Sequence, residues 1–163
     1  FGETGNVFTL RDITGDGIDE LFICNKEVYD WPIDEPGISI ALTYKDSKVE
    51  RLWGMEASTE DGTMLLDDNT VCMRYHYVLS YGYSIYTWDN NTKVKDFGKM
   101  VAWDDNDGYD EKNAEYFIDG QTVSYEEVQQ EYQRSYKEKL IPLQEMKDFT
   151  YEELGKNLLE SKE

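Results

Sequence analysis

Histidine occurs once in these 163 residues, cysteine twice and proline three times, and basic side chains are outnumbered by acidic ones, 16 to 35. Each shortage closes off some chemistry. A Ser-His-Asp or Cys-His site would have to use His76, which sits in an alternating segment with no nucleophile motif beside it and reads as an ordinary strand residue. Cys24 and Cys72 lack the spacing of a zinc site or a redox motif. They either pair, if their strands are neighbours, or stay as two buried thiols. The net charge of −19 repels phosphates and anionic headgroups, so nucleic acid and acidic lipid surfaces are disfavoured partners. No stretch approaches the ~20 apolar residues that a membrane-spanning helix needs, so this chain has no transmembrane segment. Gly-rich phosphate loops, His-Glu-x-x-His and Cys-x-x-Cys do not occur. The chain opens at Phe1 without an initiator Met, and the expectation is a fragment or mature piece from which a signal or lipid-anchor segment could have been removed.

Carboxylates, tyrosines and alternating strands are plentiful. The hydrophobic share of 39% and aromatic share of 14%, with 13 Tyr and 4 Trp, suit a folded chain, and the length suits a single domain spanning 1–163. Alternation and turn punctuation predict a meander of antiparallel hairpins over about residues 5–123. Strands are expected at 7–11, 21–24, 38–44, 49–53, 63–66 and 70–73. In the segment 75–88, Tyr75, Tyr77, Leu79, Tyr81 and Tyr83 share one parity and Tyr86 and Trp88 the other, which predicts a bulge or turn near Gly82. Two more strands are expected at 93–97 and 99–103, then an acidic solvated loop over 104–113, then a hairpin around Asp119-Gly120. Ser124 with Glu127 forms a capping box. It opens a helix whose apolar stripe is Tyr125, Val128, Tyr132, Tyr136 and Leu140, ended by Pro142. Thr150 with Glu153 opens a second, short helix. The class is therefore α+β: a β-rich meander with one or two amphipathic C-terminal helices packed on it.

The most specific segment is Asp12-Ile13-Thr14-Gly15-Asp16-Gly17-Ile18-Asp19-Glu20. Side-chain oxygens recur at every second residue in Asp12, Thr14 and Asp16, a glycine follows for the sharp turn, and Glu20 returns a further oxygen. The carbonyl of Ile18 can add a backbone ligand. This is how a short loop wraps a hard cation, so Asp12, Thr14, Asp16, Ile18 and Glu20 are the candidate ligands of a structural Ca²⁺ ion. It is not an EF-hand: the twelfth position is Ile23 rather than a bidentate Glu, and the flanks are strands. The acidic segment 104–113 repeats the pattern poorly, since Trp103 falls where the first ligand should be.

The strand–acidic loop–strand arrangement resembles the Asp-x-[Asp/Asn/Thr]-x-Asp-Gly-x-x-[Asp/Glu]-Leu calcium loops of FG-GAP and VCBS-type β repeats. The order of elements is also similar across most of the chain to secreted or lipid-anchored envelope proteins of Clostridia-type, gut-dwelling Gram-positive bacteria. It runs from this loop through a Tyr-Lys-Asp-Ser-Lys-Val hairpin and a Tyr-Gly-Tyr-Ser-Ile-Tyr-Thr-Trp segment to Tyr-Phe-Ile-Asp-Gly-Gln-Thr-Val-Ser-Tyr-Glu-Glu before a helix. The resemblance implies an extracytoplasmic location at the cell envelope and brings no activity with it. The expected function is a non-catalytic extracellular binding or interaction module of a cell-surface lipoprotein, stabilised by calcium, with a protein or glycan partner at the surface. Tyr81, Tyr83, Tyr86 and Trp88, with Trp31 and Trp53, are the candidate stacking residues, set against a role in sheet packing. The alternatives are a glycan-acting hydrolase with paired carboxylates in an aromatic cleft, and a structural spacer.

Overall fold

The computed structural model describes residues 5–25, 37–52, 62–77, 79–87, 92–104, 108–142 and 145–160. Within them the chain is β-rich, with two antiparallel sheets, one short helix after the second sheet and a small C-terminal helix. It groups into two compact units, residues 1–57 with 141–163, and residues 58–140. Among the described residues no helix is long and apolar enough to cross a membrane.

The first unit carries strands β1 (Asn6–Arg11), β2 (Glu20–Asn25), β3 (Gly37–Lys45) and β4 (Lys48–Arg51) as consecutive antiparallel neighbours. The ladder sets Phe8 opposite Ile23 and Ile23 opposite Ile40. One sheet face thus gathers Phe8, Ile23 and Phe149, with Leu10, Leu21, Ile40 and Leu154 packed against them. Leu154 belongs to the terminal helix Tyr151–Glu160, where the Thr150 hydroxyl accepts the Glu153 N–H at 3.0 Å, as the capping pattern predicts. On the opposite face of β2, Phe22 and Cys24 are fully buried. That explains why β2 reads as an unbroken apolar run instead of an alternating one.

The second unit is a six-stranded meander of β5 (Gly62–Leu65), β6 (Thr70–Tyr77), β7 (Ser80–Thr87), β8 (Lys93–Asp104), β9 (Gly108–Ile118) and β10 (Gln121–Val123). Three expectations are corrected here. Gly82 marks no turn: the β6–β7 connection lies at 78–79, and Gly82 sits inside β7 opposite Tyr75 and Gly98. The parity change between Tyr83 and Tyr86 arises at a register shift between Ile85 and Tyr86. The segments 93–97 and 99–103 are one strand, because Gly98 lies flat against the backbone of β7 and continues the ladder. Finally, most of 104–113 is not a loop. Asp104 pairs with Gly108, Trp103 with Tyr109 and Ala102 with Asp110, and only 105–107 lie outside the described residues. Since β10 pairs with Tyr116, Phe117 and Ile118 alone, the acidic half of β9 is a sheet edge among the described residues, and charge is tolerated at such edges.

The capping box forms in full. Ser124 Oγ accepts from Glu127 N, and the Glu127 carboxylate accepts from Ser124 N at 2.8 Å. Helix α1 (Tyr125–Tyr132) then widens into a π-helical turn, Gln133–Lys137, closed by Glu138 N donating to Gln133 O at 2.9 Å. The predicted stripe is thus one helix only as far as Tyr132. The wide turn keeps Tyr136 on the sheet, and Leu140 has left the helix to bridge Leu66. Val128 and Tyr136 are buried, and Tyr136 joins Met64, Leu66, Cys72, Tyr83, Ile85 and Phe97 in one core.

Candidate functional site

The acidic loop between β1 and β2 organises itself around Asp12. Its Oδ1 accepts the backbone N–H groups of Gly15 at 2.7 Å and Asp16 at 3.2 Å, and its Oδ2 accepts that of Gly17 at 2.8 Å. Three successive amides converge on one carboxylate because Gly15 and Gly17 take φ values of 75° and 84°, which side-chain-bearing residues rarely adopt. Asp16 Oδ1 accepts Ile18 N at 2.9 Å. Glu20 differs from half-buried Asp12 and exposed Asp16 in being fully buried. Its carboxylate accepts Ile13 N at 3.0 Å, Thr14 Oγ1 at 3.5 Å and Thr43 Oγ1 at 3.0 Å, and among the described residues no Lys or Arg pairs with it.

Of the five predicted ligands, Thr14 and Glu20 meet directly, while Asp12 and Asp16 face the loop's own amides. Among the described residues, no three Asp, Glu, His or Cys side chains converge as a metal-holding group. The donor set suits a hard cation in kind, since every donor is oxygen, and among the described residues no cationic side chain sits on Glu20. Thr43, which the sequence does not single out, enters through the β2–β3 register: Leu21 pairs with Leu42, which sets Glu20 across from Thr43.

The second feature is an aromatic cleft of ≈ 450 Å³ within the second unit, between its sheet and α1. Register builds its floor. Tyr81 pairs with Lys99 and Lys99 with Tyr116, so these three side chains stand in one row on one face. The adjacent row, Tyr83 opposite Phe97, forms the back wall with rings stacked at 5.3 Å. Helix α1 lays Tyr125, Val128, Gln129 and Tyr132 over them, following helical spacing. Tyr116 and Tyr125 meet edge to face at 5.3 Å, and Tyr81 and Tyr83 do so at 5.6 Å with their hydroxyls 2.7 Å apart. Burial, reinforced by that hydrogen bond, pushes the Tyr83 phenol far above its ordinary pKa, so it stays neutral.

The predicted stacking residues therefore separate. Tyr81 and Tyr83 share the cleft, with Tyr83 only 6% exposed and largely a core residue. Tyr86 lies at the far end of β7 and does not line the cleft. Trp31, Trp53 and Trp88 lie outside the described residues. The sequence did not assemble Lys99, Tyr116, Tyr125, Gln129 and Tyr132 with them. The stripe through Tyr125 and Tyr132 was the available signal, but which strands it would cover was not legible.

On the same helix, Glu131 is 1% exposed and accepts from Arg134 and Ser135, with Lys95 Nζ at 4.0 Å. Burial opposes its charge, and these hydrogen bonds and the two cations outweigh it, holding the carboxyl below the ordinary glutamate value. A carboxylate so depressed stabilises the fold above its unfolded pKa of about 4.3, and that contribution is lost as pH falls through the folded pKa. Glu131→Gln should therefore reduce the unfolding free energy at neutral pH, and the gap from the parent should narrow as urea melts are taken below about pH 4. A gap independent of pH would refute this assignment. Elsewhere, Cys24 and Cys72 are buried and form no disulfide, and burial pushes the Cys24 thiol up to about 12, which keeps it unreactive.

Compared with protein-family models, curated proteins and solved structures, the chain gives no match.

Proposed function

We propose that this chain is a non-catalytic binding module of a bacterial cell-surface lipoprotein, working outside the cell, with a structural calcium ion in the Asp12–Glu20 loop. The observation that carries the binding reading is the cleft under α1. It has ligand-scale volume and is lined by tyrosines, one lysine and one glutamine. Such a lining supplies ring faces and hydrogen-bonding tips, and no carboxylate is among its described residues. That supports holding a ligand over the paired-acid hydrolysis that the aromatic content would also suit. The calcium reading is supported by buried Glu20, which among the described residues has no cationic side chain on it. Its extracellular placement is supported by the resemblance of the loop and of the order of elements to envelope proteins, outside the cell, where a site of about 10⁻⁴–10⁻³ M affinity would be filled. When bound, the ion would supply charge neutralisation and pin the turn between β1 and β2, held by Asp12, Thr14, Asp16, Glu20 and the Ile18 carbonyl.

The test exposes the full chain, with calcium present, to arrays of soluble glycans and of surface peptides, and assays the same mixtures for released product. Retention without turnover is expected. Product release that disappears on a single Asp or Glu substitution would move the chain to the hydrolases, and silence on every array would leave a spacer.

A further inference from the structure

We infer that strand β4 of the first unit joins a second copy of this chain, β4 to antiparallel β4, so that their first-unit sheets become continuous through a two-fold axis. Among the described residues β4 ends its sheet, and all four of its residues are exposed. Which of its peptide groups face outward follows from the register. Leu52 N donates to Ala41 O at 3.0 Å. Hydrogen-bonded pairs recur at every second step of an antiparallel ladder, so Thr43 with Glu50 and Lys45 with Lys48 are such pairs. Val49 lies between them, opposite Tyr44. Its N–H and C=O therefore point away from β3, towards the edge where a further strand would add.

Charge selects one register for that addition. Outward-facing residues pair with outward-facing ones. Centring the contact on Val49 sets it against the partner's Val49 and sets Lys48 against the partner's Glu50, once in each copy. A shift by two residues either way instead faces Glu50 with the partner's Glu50, or Lys48 with the partner's Lys48. Lys48 also stands opposite Lys45 in its own hairpin, and like charges directly opposite are destabilising. A carboxylate arriving on the other side of Lys48 offsets that repulsion. The segment 45–51 holds Lys45, Lys48 and Arg51 against Asp46 and Glu50, so two copies of an acidic chain meet on a strip with a small basic excess.

The apolar side chains agree with the same register. Tyr44 and Val49 pair across the hairpin and are 52% and 67% exposed. Tyr44 shares the parity of Ile40, so the two extend the apolar face of Phe8, Ile23 and Ile40 out to the sheet edge. In the Val49-centred contact they run on into the partner's Val49 and Tyr44, which removes a row of four apolar side chains from water.

Sedimentation velocity of the full chain with calcium present, from about 10 µM to about 1 mM protein in about 0.15 M salt, tests this. A strand of four residues buries little surface, so a concentration-dependent monomer–dimer equilibrium is expected. Lys48→Glu and Glu50→Lys each place like charges opposite and should each weaken association about tenfold or more. Both side chains are exposed, so near-parental melting curves should accompany the loss. Mixed one to one, the two variants should associate with each other, because each supplies the charge that the other lacks. The chain carrying both changes should dimerise like the parent. A parent that stays monomeric over the whole range, a dimer that the single changes leave intact, or single variants that fail to combine overturns the assignment. The binding-module reading is independent of these outcomes and stands or falls by its own assay.

Discussion

Adding calcium to the chelator-treated protein is expected to raise its melting temperature by roughly 5–10 °C, and Asp16→Ala to abolish the rise. The magnitude follows from linkage. An ion that binds only the folded state stabilises it by RT ln(1 + [L]/Kd), about 2.7 kcal/mol at a hundred times Kd. A chain of this length gains about 2–4 °C per kcal/mol. The structural grounds are local. Asp12, Asp16, Asp19 and Glu20 crowd into nine residues, and without an ion the loop is held by amide donors to Asp12 and hydroxyl donors to Glu20. These hydrogen bonds satisfy lone pairs but do not cancel charge. Asp16 is the informative substitution, because it lies at the exposed rim and donates nothing to the core. Identical melting curves with calcium and with chelator would end the calcium reading, leaving Asp12 as the organiser of a turn.

Gly98→Ala is expected to lose about 3 kcal/mol of stability, measured by chemical denaturation. A Cβ at Gly98 would lie 2.7 Å from the Gly82 Cα and closer still to the Tyr81 carbonyl oxygen. Both obstacles are backbone of the neighbouring strand, so the strain can be relieved only by parting β7 from β8. That would also disturb the stacking of Tyr83 on Phe97, which those strands set. The comparison is Gly155→Ala. Nothing lies within 4 Å of a Cβ there, and the position is helical, so alanine should be neutral or stabilising by up to about 1 kcal/mol. If Gly98→Ala were as mild as Gly155→Ala, the close approach of β7 and β8 would be wrong.

Gly98 and Gly82 also show where sequence reading fails. A glycine inside an alternating run signals a break when only the run is visible, and so Gly82 suggested a turn and Gly98 a strand boundary. Their true role is mutual: each is small because the other strand's backbone, or Tyr75, fills its place. The acidic stretch around Asp107-Gly108 misled similarly. Its composition is that of a loop, but its described residues pair as β8 and β9, and β10 pairs with β9 only at Tyr116, Phe117 and Ile118.

Local chemistry was legible because its partners are close in sequence. The positive-φ turns at Asp46-Ser47 and Asp119-Gly120 and the Ser124–Glu127 capping box each close within a few residues, so residue type alone specifies them. The same holds for the wrapping of Gly15, Asp16 and Gly17 around Asp12. What the fold alone decided is which distant residues meet. Thr43 reaches Glu20 across 23 positions, and Tyr81, Lys99 and Tyr116 line up only because three strands adopt one register. A one-residue slip would turn each row to the other face. That register is fixed by the whole apolar face, Tyr83, Ile85, Phe97 and Tyr136 among it, and no single segment of the sequence encodes it.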